Sequence, residues 1–150
     1  MIAWLLAAVH LLALGIGFGA VWGRAAALRG ELDRDGLRRV FRSDTWWGVA
    51  GLLWILTGLL RAFGGFEKGT TYYLENHLFW GKMLFLVILL GIEIYVGIGL
   101  TRWRAKAKRN ETPDLPVAGR YATLSVVQAG LVVSMLLAAT AMTRGFGMVG

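Results

Sequence analysis

Four long apolar segments dominate the pattern of hydrophobic and polar positions along the chain. They cover approximately residues 1–22, 45–63, 78–100 and 121–143. A membrane-spanning helix needs about 20 apolar residues, because each residue advances it by about 1.5 Å. The second segment approaches this length only if the Arg61 side chain extends from its end to the interface. The pattern therefore predicts an all-α membrane protein, a bundle of four transmembrane helices, with residues 1–150 as a single domain.

The composition excludes several classes of protein. Of the 150 residues, 57% are hydrophobic and 17% are charged, whereas a soluble domain is about half apolar and about a quarter charged. The chain has no cysteine, which excludes disulfides, thiolate metal sites, iron–sulfur clusters and covalently attached c-type haem. The net charge of +7 indicates no nucleic-acid partner, because the cations lie between apolar segments. The predicted partner is the lipid bilayer.

The distribution of Lys and Arg predicts the orientation of the chain. The first and second segments are separated by Arg24, Arg29, Arg34, Arg38, Arg39 and Arg42, and the third and fourth by Arg102, Arg104, Lys106, Lys108, Arg109 and Arg120; the opposite side has Arg61, Lys68 and Arg144. Basic loops stay in the cytoplasm, so both termini are expected in the periplasm of a bacterium, with the chain in its inner membrane. No cation precedes Trp22, and the first segment is therefore predicted to be retained rather than cleaved as a signal peptide.

Small residues recur at every fourth position on two of the segments. They are Gly15, Gly19 and Gly23 on the first segment, and Gly130, Ser134 and Ala138 on the fourth. Such spacing lets helices approach closely in a bilayer. These positions are expected to be contact seams, either within the bundle or with other membrane subunits, including a second copy of the chain.

Polar residues inside the spans are the candidate functional residues, because polar groups are costly at membrane depth. They are His10, Arg61, Lys82, Glu93 and Gln128. His10 shares a helix face with the small residues Ala7, Ala13 and Gly17. This face leaves either a close helix approach, in which a neutral His10 hydrogen-bonds a neighbouring helix, or space for a flat ligand.

The other polar residues also leave two alternatives each. Glu93 and Gln128 lie at similar depth, which predicts a hydrogen bond between them; the alternative is a proton relay through a protonated Glu93. Arg61 and Lys82 lie near the outer boundary. They either extend to the interface or bind anionic groups of a ligand.

Depth along the helices restricts the metal sites that can be considered. His77 lies at the outer interface, about 13 Å from the level of His10, so these two residues are not expected to ligate one haem. Met135 matches the depth of His10, but a lone Met on an apolar helix is usually core packing. A haem held by His10 alone is compatible with the pattern. Arg61 and Lys82 would then lie about 7–8 Å nearer the outer surface, where they could bind its carboxylates.

Two resemblances extend this interpretation. The whole chain resembles an uncharacterised family of predicted bacterial four-helix membrane proteins, which shares the run from Trp46-Trp47-Gly48 to Arg61-Ala62-Phe63-Gly64-Gly65. His10 with the Gly-rich stretch that ends at Arg24, and Lys82 near the start of the third segment, resemble the haem-dependent protoporphyrinogen oxidases and the related copper-resistance D membrane domains. The oxidase resemblance implies haem b on His10, Lys82 in the site, and oxidation of a tetrapyrrole.

Three functions are compatible with the sequence. The first is a membrane protein that binds haem b through His10, with Arg61 and Lys82 as further cofactor-binding residues and a redox role. The second is a non-catalytic accessory or scaffold subunit of a larger membrane complex. The third, a proton conduit through Glu93, His10 and Lys82, is disfavoured because the stretch between Lys82 and Glu93 is entirely apolar. The sequence leaves open whether the protein is an enzyme.

Overall fold

The helices account for almost the whole chain. The structure is a computed structural model that describes residues 1–65 and 69–148; Lys68, one of the three cations expected on the outer side, lies outside the described residues. The elements are α1 (Ile2–Arg29), α2 (Arg34–Phe63), α3 (Thr70–Leu74), α4 (His77–Lys108), a 3₁₀ turn (Leu115–Val117) and α5 (Ala118–Thr143). In the described part, α1, α2, α4 and α5 are long and apolar enough to cross a membrane. The predicted all-α fold with four membrane helices is confirmed.

The helices extend well beyond the predicted spans at the arginine-rich end. The sequence places a basic, partly helical loop between the first and second spans; in the structure α1 continues to Arg29 and α2 already begins at Arg34. Asp33 caps α2 by accepting a hydrogen bond from the Gly36 backbone N–H, with a nitrogen–oxygen distance of 2.7 Å. Gly36 is needed there, because a Cβ atom would collide with the carbonyl oxygen of Glu31. Most of the basic segment is therefore helical.

The four long helices form a bundle in the order α2, α1, α5, α4. Helix α1 packs along both α2 and α5, and α5 packs along α4, whereas α2 and α4 complete the ring with a much smaller contact. We call the end that holds the first turn of α1 and the last turn of α5 the terminal end. The opposite end, with the two arginine-rich connections, is the basic end.

Short contacts close the terminal end of the bundle. Asn76 is fully buried and caps α4 by accepting from the Leu78 backbone N–H at 2.9 Å. Its side-chain nitrogen donates to the carbonyl oxygen of Phe146 at 3.0 Å, and Tyr72 on α3 donates to the carbonyl oxygen of Met142 at 2.7 Å. These bonds attach the last turn of α5 to α3, and the chain beyond α5 to the start of α4.

The buried stripes follow the helical periodicity predicted from the sequence. On α1 the buried residues include His10, Ala13, Gly17, Val21 and Arg24; on α2 they include Trp47, Ala50, Trp54 and Thr57. These positions recur every three or four residues, so they lie on one face of each helix. His10 and Arg24 therefore face the interior of the bundle at opposite ends of the same stripe.

The glycine seam expected on α1 is not used within the bundle. A Cβ atom added at Gly15 or Gly19 would meet no atom within 4 Å, and one at Gly23 would meet only the Ser43 hydroxyl at 3.3 Å. Gly17 is the closely packed glycine of this stretch, with its added Cβ 3.4 Å from the Trp47 ring. The alternative, a contact with another membrane subunit or a second copy of the chain, stays a prediction.

Candidate functional site

A cavity at the terminal end brings together the three residues that the sequence proposed for cofactor binding. Its volume is about 320 Å³, and its lining includes His10 from α1, Arg61 from α2 and Lys82 from α4. Helices α3 and α5 contribute to the wall as well. Most of the remaining wall is apolar or aromatic, including Trp54, Phe79, Met83, Leu86, Met135 and Ala139. An apolar cavity with a few convergent polar groups is the usual form of a small-molecule site.

The His10 ring is held by the neighbouring helix through Thr57. Its Nδ1 lies 2.9 Å from the Thr57 hydroxyl oxygen, which also lies 2.7 Å from the carbonyl oxygen of Leu53 and 3.1 Å from that of Trp54. A hydroxyl has one hydrogen; when it donates that hydrogen to one of these carbonyls, Nδ1 is the donor toward Thr57. In the neutral imidazole the lone pair is then on Nε2, as in a histidine that ligates a metal through Nε2 while its other nitrogen donates to a second group.

Two further residues of α2 fix the position of the His10 ring. The Trp54 indole stacks on it, with ring centroids 5.7 Å apart and planes inclined by 25°. Gly58 lies against its edge, where an added Cβ would approach the imidazole Cε1 to 3.1 Å. His10 is thus hydrogen-bonded to the next helix and also part of a cavity wall, and its role as a ligand stays a prediction.

Trp54 carries a donor that finds no partner. Its side chain is only 7% exposed, and within the described part of the chain its Nε1 is the one buried side-chain polar atom without a hydrogen bond. An unsatisfied buried donor costs about 1–3 kcal/mol. The sequence did not single out Trp54, since a Trp on an apolar stripe cannot be distinguished from core packing without its neighbours.

The positions of His77 and Met135 agree with the depths expected from the sequence. His77 is exposed at the start of α4 and does not line the cavity, whereas the buried Met135 does. Arg61 follows Thr57 by four residues, about 6 Å along α2, so it lies nearer the terminal end than His10. Across residues 1–65 and 69–148, no group of three or more His, Asp or Glu side chains is arranged to hold a metal ion.

A second polar site lies toward the basic end and is centred on Arg24. The Arg24 side chain is fully buried and uses all five of its N–H hydrogens. Nε donates to Ser125 (3.0 Å), Nη1 to Asp44 (2.7 Å) and Glu93 (3.3 Å), and Nη2 to Glu93 (3.0 Å) and Gln128 (2.6 Å). This corrects the sequence interpretation, which counted Arg24 among the cations of a loop. We call this group of residues the Arg24 cluster.

Glu93 and Asp44 complete the Arg24 cluster. Glu93 also accepts from the Trp47 indole at 2.8 Å and from the Gln128 amide at 2.9 Å, which confirms the predicted hydrogen bond between Glu93 and Gln128. Asp44 accepts from Arg104 at 2.8 Å. Two arginines thus face two carboxylates, and residues from α1, α2, α4 and α5 meet at one point. The proton relay through Glu93 and Gln128 stays a prediction.

An apolar layer separates the cavity from the Arg24 cluster. It includes Ala13, Val21, Leu89, Ala129 and Val132, all buried. His10 and Arg24 are 14 positions apart on α1, about 21 Å along the helix. The two polar sites therefore lie apart, one in each half of the bundle.

Comparison with known proteins identifies one family. Residues 2–147 match the family described as "Predicted membrane protein (DUF2214)". None of the curated proteins and none of the solved structures matches the chain. The family match confirms the resemblance to predicted membrane proteins that the sequence indicated.

Proposed function

The chain belongs to the DUF2214 family of predicted membrane proteins, and we propose that it binds a tetrapyrrole such as haem b through His10 and uses it in a redox role. The observation that carries this proposal is that His10, Arg61 and Lys82, on three different helices, line one apolar cavity. Its volume of about 320 Å³ lies within the range of small-molecule sites. The ligand would be flat and largely apolar, with anionic groups at one edge.

The three polar residues of the wall would each have a role in holding such a ligand. His10 would ligate the iron through Nε2, with Thr57 orienting the ring through Nδ1. The two cations, Arg61 and Lys82, would bind carboxylates by charge-assisted hydrogen bonds. Bound haem supplies one-electron chemistry at its iron, tuned by the axial ligand and the surrounding polarity.

Two features of the α2 wall support the fit. Gly58 is the residue that lets His10 lie close to α2, because a larger residue would push the imidazole away. The Trp54 indole, which also lines the cavity, stacks on the His10 ring and holds it in the wall.

Titration with haem b and with its dimethyl ester tests this assignment. We expect the purified protein in detergent to bind one haem per chain, with a Soret shift that saturates. Arg61→Gln and Lys82→Gln should each weaken haem affinity at least about tenfold, because a hydrogen bond to a charged group contributes roughly 1.5–3 kcal/mol. The ester lacks the carboxylates, so wild type and variants should bind it alike.

Arg144→Gln is the matched control for this titration. Arg144 is an exposed cation at the same end of the molecule and does not line the cavity, so this variant should bind haem like wild type. Absence of saturable binding by folded wild-type protein would overturn the proposed function. Equal weakening in the Arg144 variant would show instead that only the general charge of this end matters.

A second candidate function is that of an accessory or scaffold subunit. The observation in its favour is that Gly15 and Gly19 on α1, and Gly130 on α5, face open space, with no atom within 4 Å of an added Cβ. These faces are available to another membrane helix. Under this proposal Gly19→Leu should abolish co-purification of partner subunits after mild solubilisation, whereas Gly81→Leu, at another open glycine, should not. Equal co-purification in both variants would contradict it.

We propose a bacterial inner-membrane location with both termini on the periplasmic side. The support is the concentration of Lys and Arg at the basic end. Because the chain has no cysteine, a single Arg109→Cys or Arg144→Cys substitution reports sidedness without background. A membrane-impermeant maleimide should label only position 144 in intact cells. Labelling of position 109 alone would show that the termini lie on the cytoplasmic side.

A further inference from the structure

A groove runs along the outward face of α4 at the basic end. It has a volume of about 390 Å³ and is lined by Glu93, Ile94, Gly97, Ile98, Thr101 and Arg102. The buried residues of α4, which include Val96, Leu100 and Trp103, lie on the opposite face of the helix, so this groove faces the bilayer. Glu93 closes its deep end, and its charge is paired with Arg24.

The groove spans the depth that a phospholipid occupies. Arg102 follows Gly97 by five residues and Glu93 by nine, about 7.5 Å and about 13.5 Å along the helix. Arg102 lies beyond the apolar span predicted for residues 78–100, at headgroup level, whereas Gly97 and Glu93 lie in the hydrocarbon region. Ile94 and Ile98 are exposed and form apolar walls, and Gly97 leaves the groove open between them.

A second arginine accompanies Arg102 at headgroup level. Arg120, near the start of α5, donates to the hydroxyl of Tyr95 at 3.3 Å on the exposed surface. Tyr95 and Arg102 are seven residues apart and share a face of α4. The hydrogen bond therefore brings Arg120 to the face of α4 that carries Arg102.

We propose that this groove is a binding site for an anionic phospholipid. The lipid phosphate lies by Arg102 and Arg120, and one acyl chain lies over Gly97 between Ile94 and Ile98. Charge complementarity selects an anionic headgroup, since each arginine near an anionic membrane surface contributes about fivefold in affinity. The site is independent of the cavity at the terminal end and of its ligand.

The thermal unfolding midpoint during a lipid titration tests the site. The protein in non-ionic detergent is titrated with phosphatidylglycerol, with phosphatidylcholine and with inorganic phosphate. We expect only phosphatidylglycerol to raise the midpoint saturably. In the double variant Arg102→Gln/Arg120→Gln its apparent affinity should fall about 25-fold. The matched double variant Arg39→Gln/Arg42→Gln, on the exposed part of α2 at the same end, should respond like wild type.

Gly97→Leu separates the acyl-chain site from the headgroup site. An added Cβ at Gly97 meets only Glu93 Oε1, at 3.8 Å, so the variant should fold and should unfold at the wild-type midpoint without lipid, but lose most of the response to phosphatidylglycerol. Equal responses to both lipids, or to phosphate alone, would overturn the proposal. A monomer–dimer shift caused by Gly97→Leu in lipid-free detergent would overturn it in favour of a second copy of the chain on this face.

Discussion

Replacement of Arg24 by glutamine is expected to lower the free energy of unfolding by about 3–5 kcal/mol, the largest stability effect we expect from one substitution. Arg24 is fully buried and joins Asp44 at 2.7 Å and Glu93 at 3.0 Å. Removal of its charge leaves two carboxylates, with 15% and 26% of their side-chain surface exposed, without their central counter-ion. A broken buried ion pair costs about this much, because the remaining charge stays desolvated.

The unfolding transition in detergent, followed by tryptophan fluorescence and circular dichroism, measures this effect. Arg29→Gln is the control, since Arg29 is an exposed cation at the end of the same helix and should change the stability by less than about 0.5 kcal/mol. The stability of Arg24→Lys should lie between those of Arg24→Gln and Arg29→Gln, because a lysine keeps the charge but has three donors instead of five. Equal transitions for Arg24→Gln and Arg29→Gln would show that the Arg24 cluster does not hold the bundle together.

Replacement of His10 by alanine is expected to weaken haem binding at least a hundredfold. The residue supplies the proposed iron ligand, and loss of even an orienting group around a ligand costs about 10–100-fold. Thr57→Val removes the hydroxyl that is hydrogen-bonded to Nδ1 and should therefore weaken haem binding by about 10–100-fold. Haem titrations followed at the Soret band measure both variants.

His77→Ala provides the control for the His10 substitution. His77 is exposed at the start of α4 and is outside the cavity lining, so this variant should bind haem like wild type. Imidazole added to His10→Ala should restore part of the Soret band, because the substitution opens space beside Gly58 and Trp54. If His10→Ala bound haem as wild type does, His10 would not be the ligand.

The helices and their buried faces could be predicted because they depend on local periodicity. The apolar lengths identified four spans, and the stripe from His10 through Gly17 to Arg24 follows from the helical repeat alone. The hydrogen bond between Glu93 and Gln128 followed from their similar depth. Arg61 and Lys82 line one cavity, which agrees with the prediction that both lie near the same boundary of the membrane.

The Arg24 cluster could not be predicted because its contacts depend on how distant segments pack. Arg24 is 20 positions from Asp44, 69 from Glu93 and 104 from Gln128. Its location just after an apolar run made it one cation among six in a basic loop. The available signal was its position on the His10 stripe, which places the side chain toward the interior.

The helix lengths and the α1 glycine seam required the neighbouring chain as well. The start of α2 depends on the Asp33 cap and on the close approach of Gly36 to Glu31, which polarity alone does not indicate. Gly17, rather than Gly15 or Gly19, receives the Trp47 ring. Spacing predicts which residues share a helix face, but only packing determines which face a neighbouring helix covers.

The absorption spectrum of the wild-type protein, extracted gently from membranes of cells supplied with haem, tests directly whether the protein carries haem. The spectrum is recorded as isolated and after reduction with dithionite. Haem held by His10 in the terminal-end cavity predicts a Soret band with sharpened α and β bands in the reduced protein, at about one haem per chain. A flat spectrum from folded protein under these conditions would contradict haem binding and favour the accessory-subunit function.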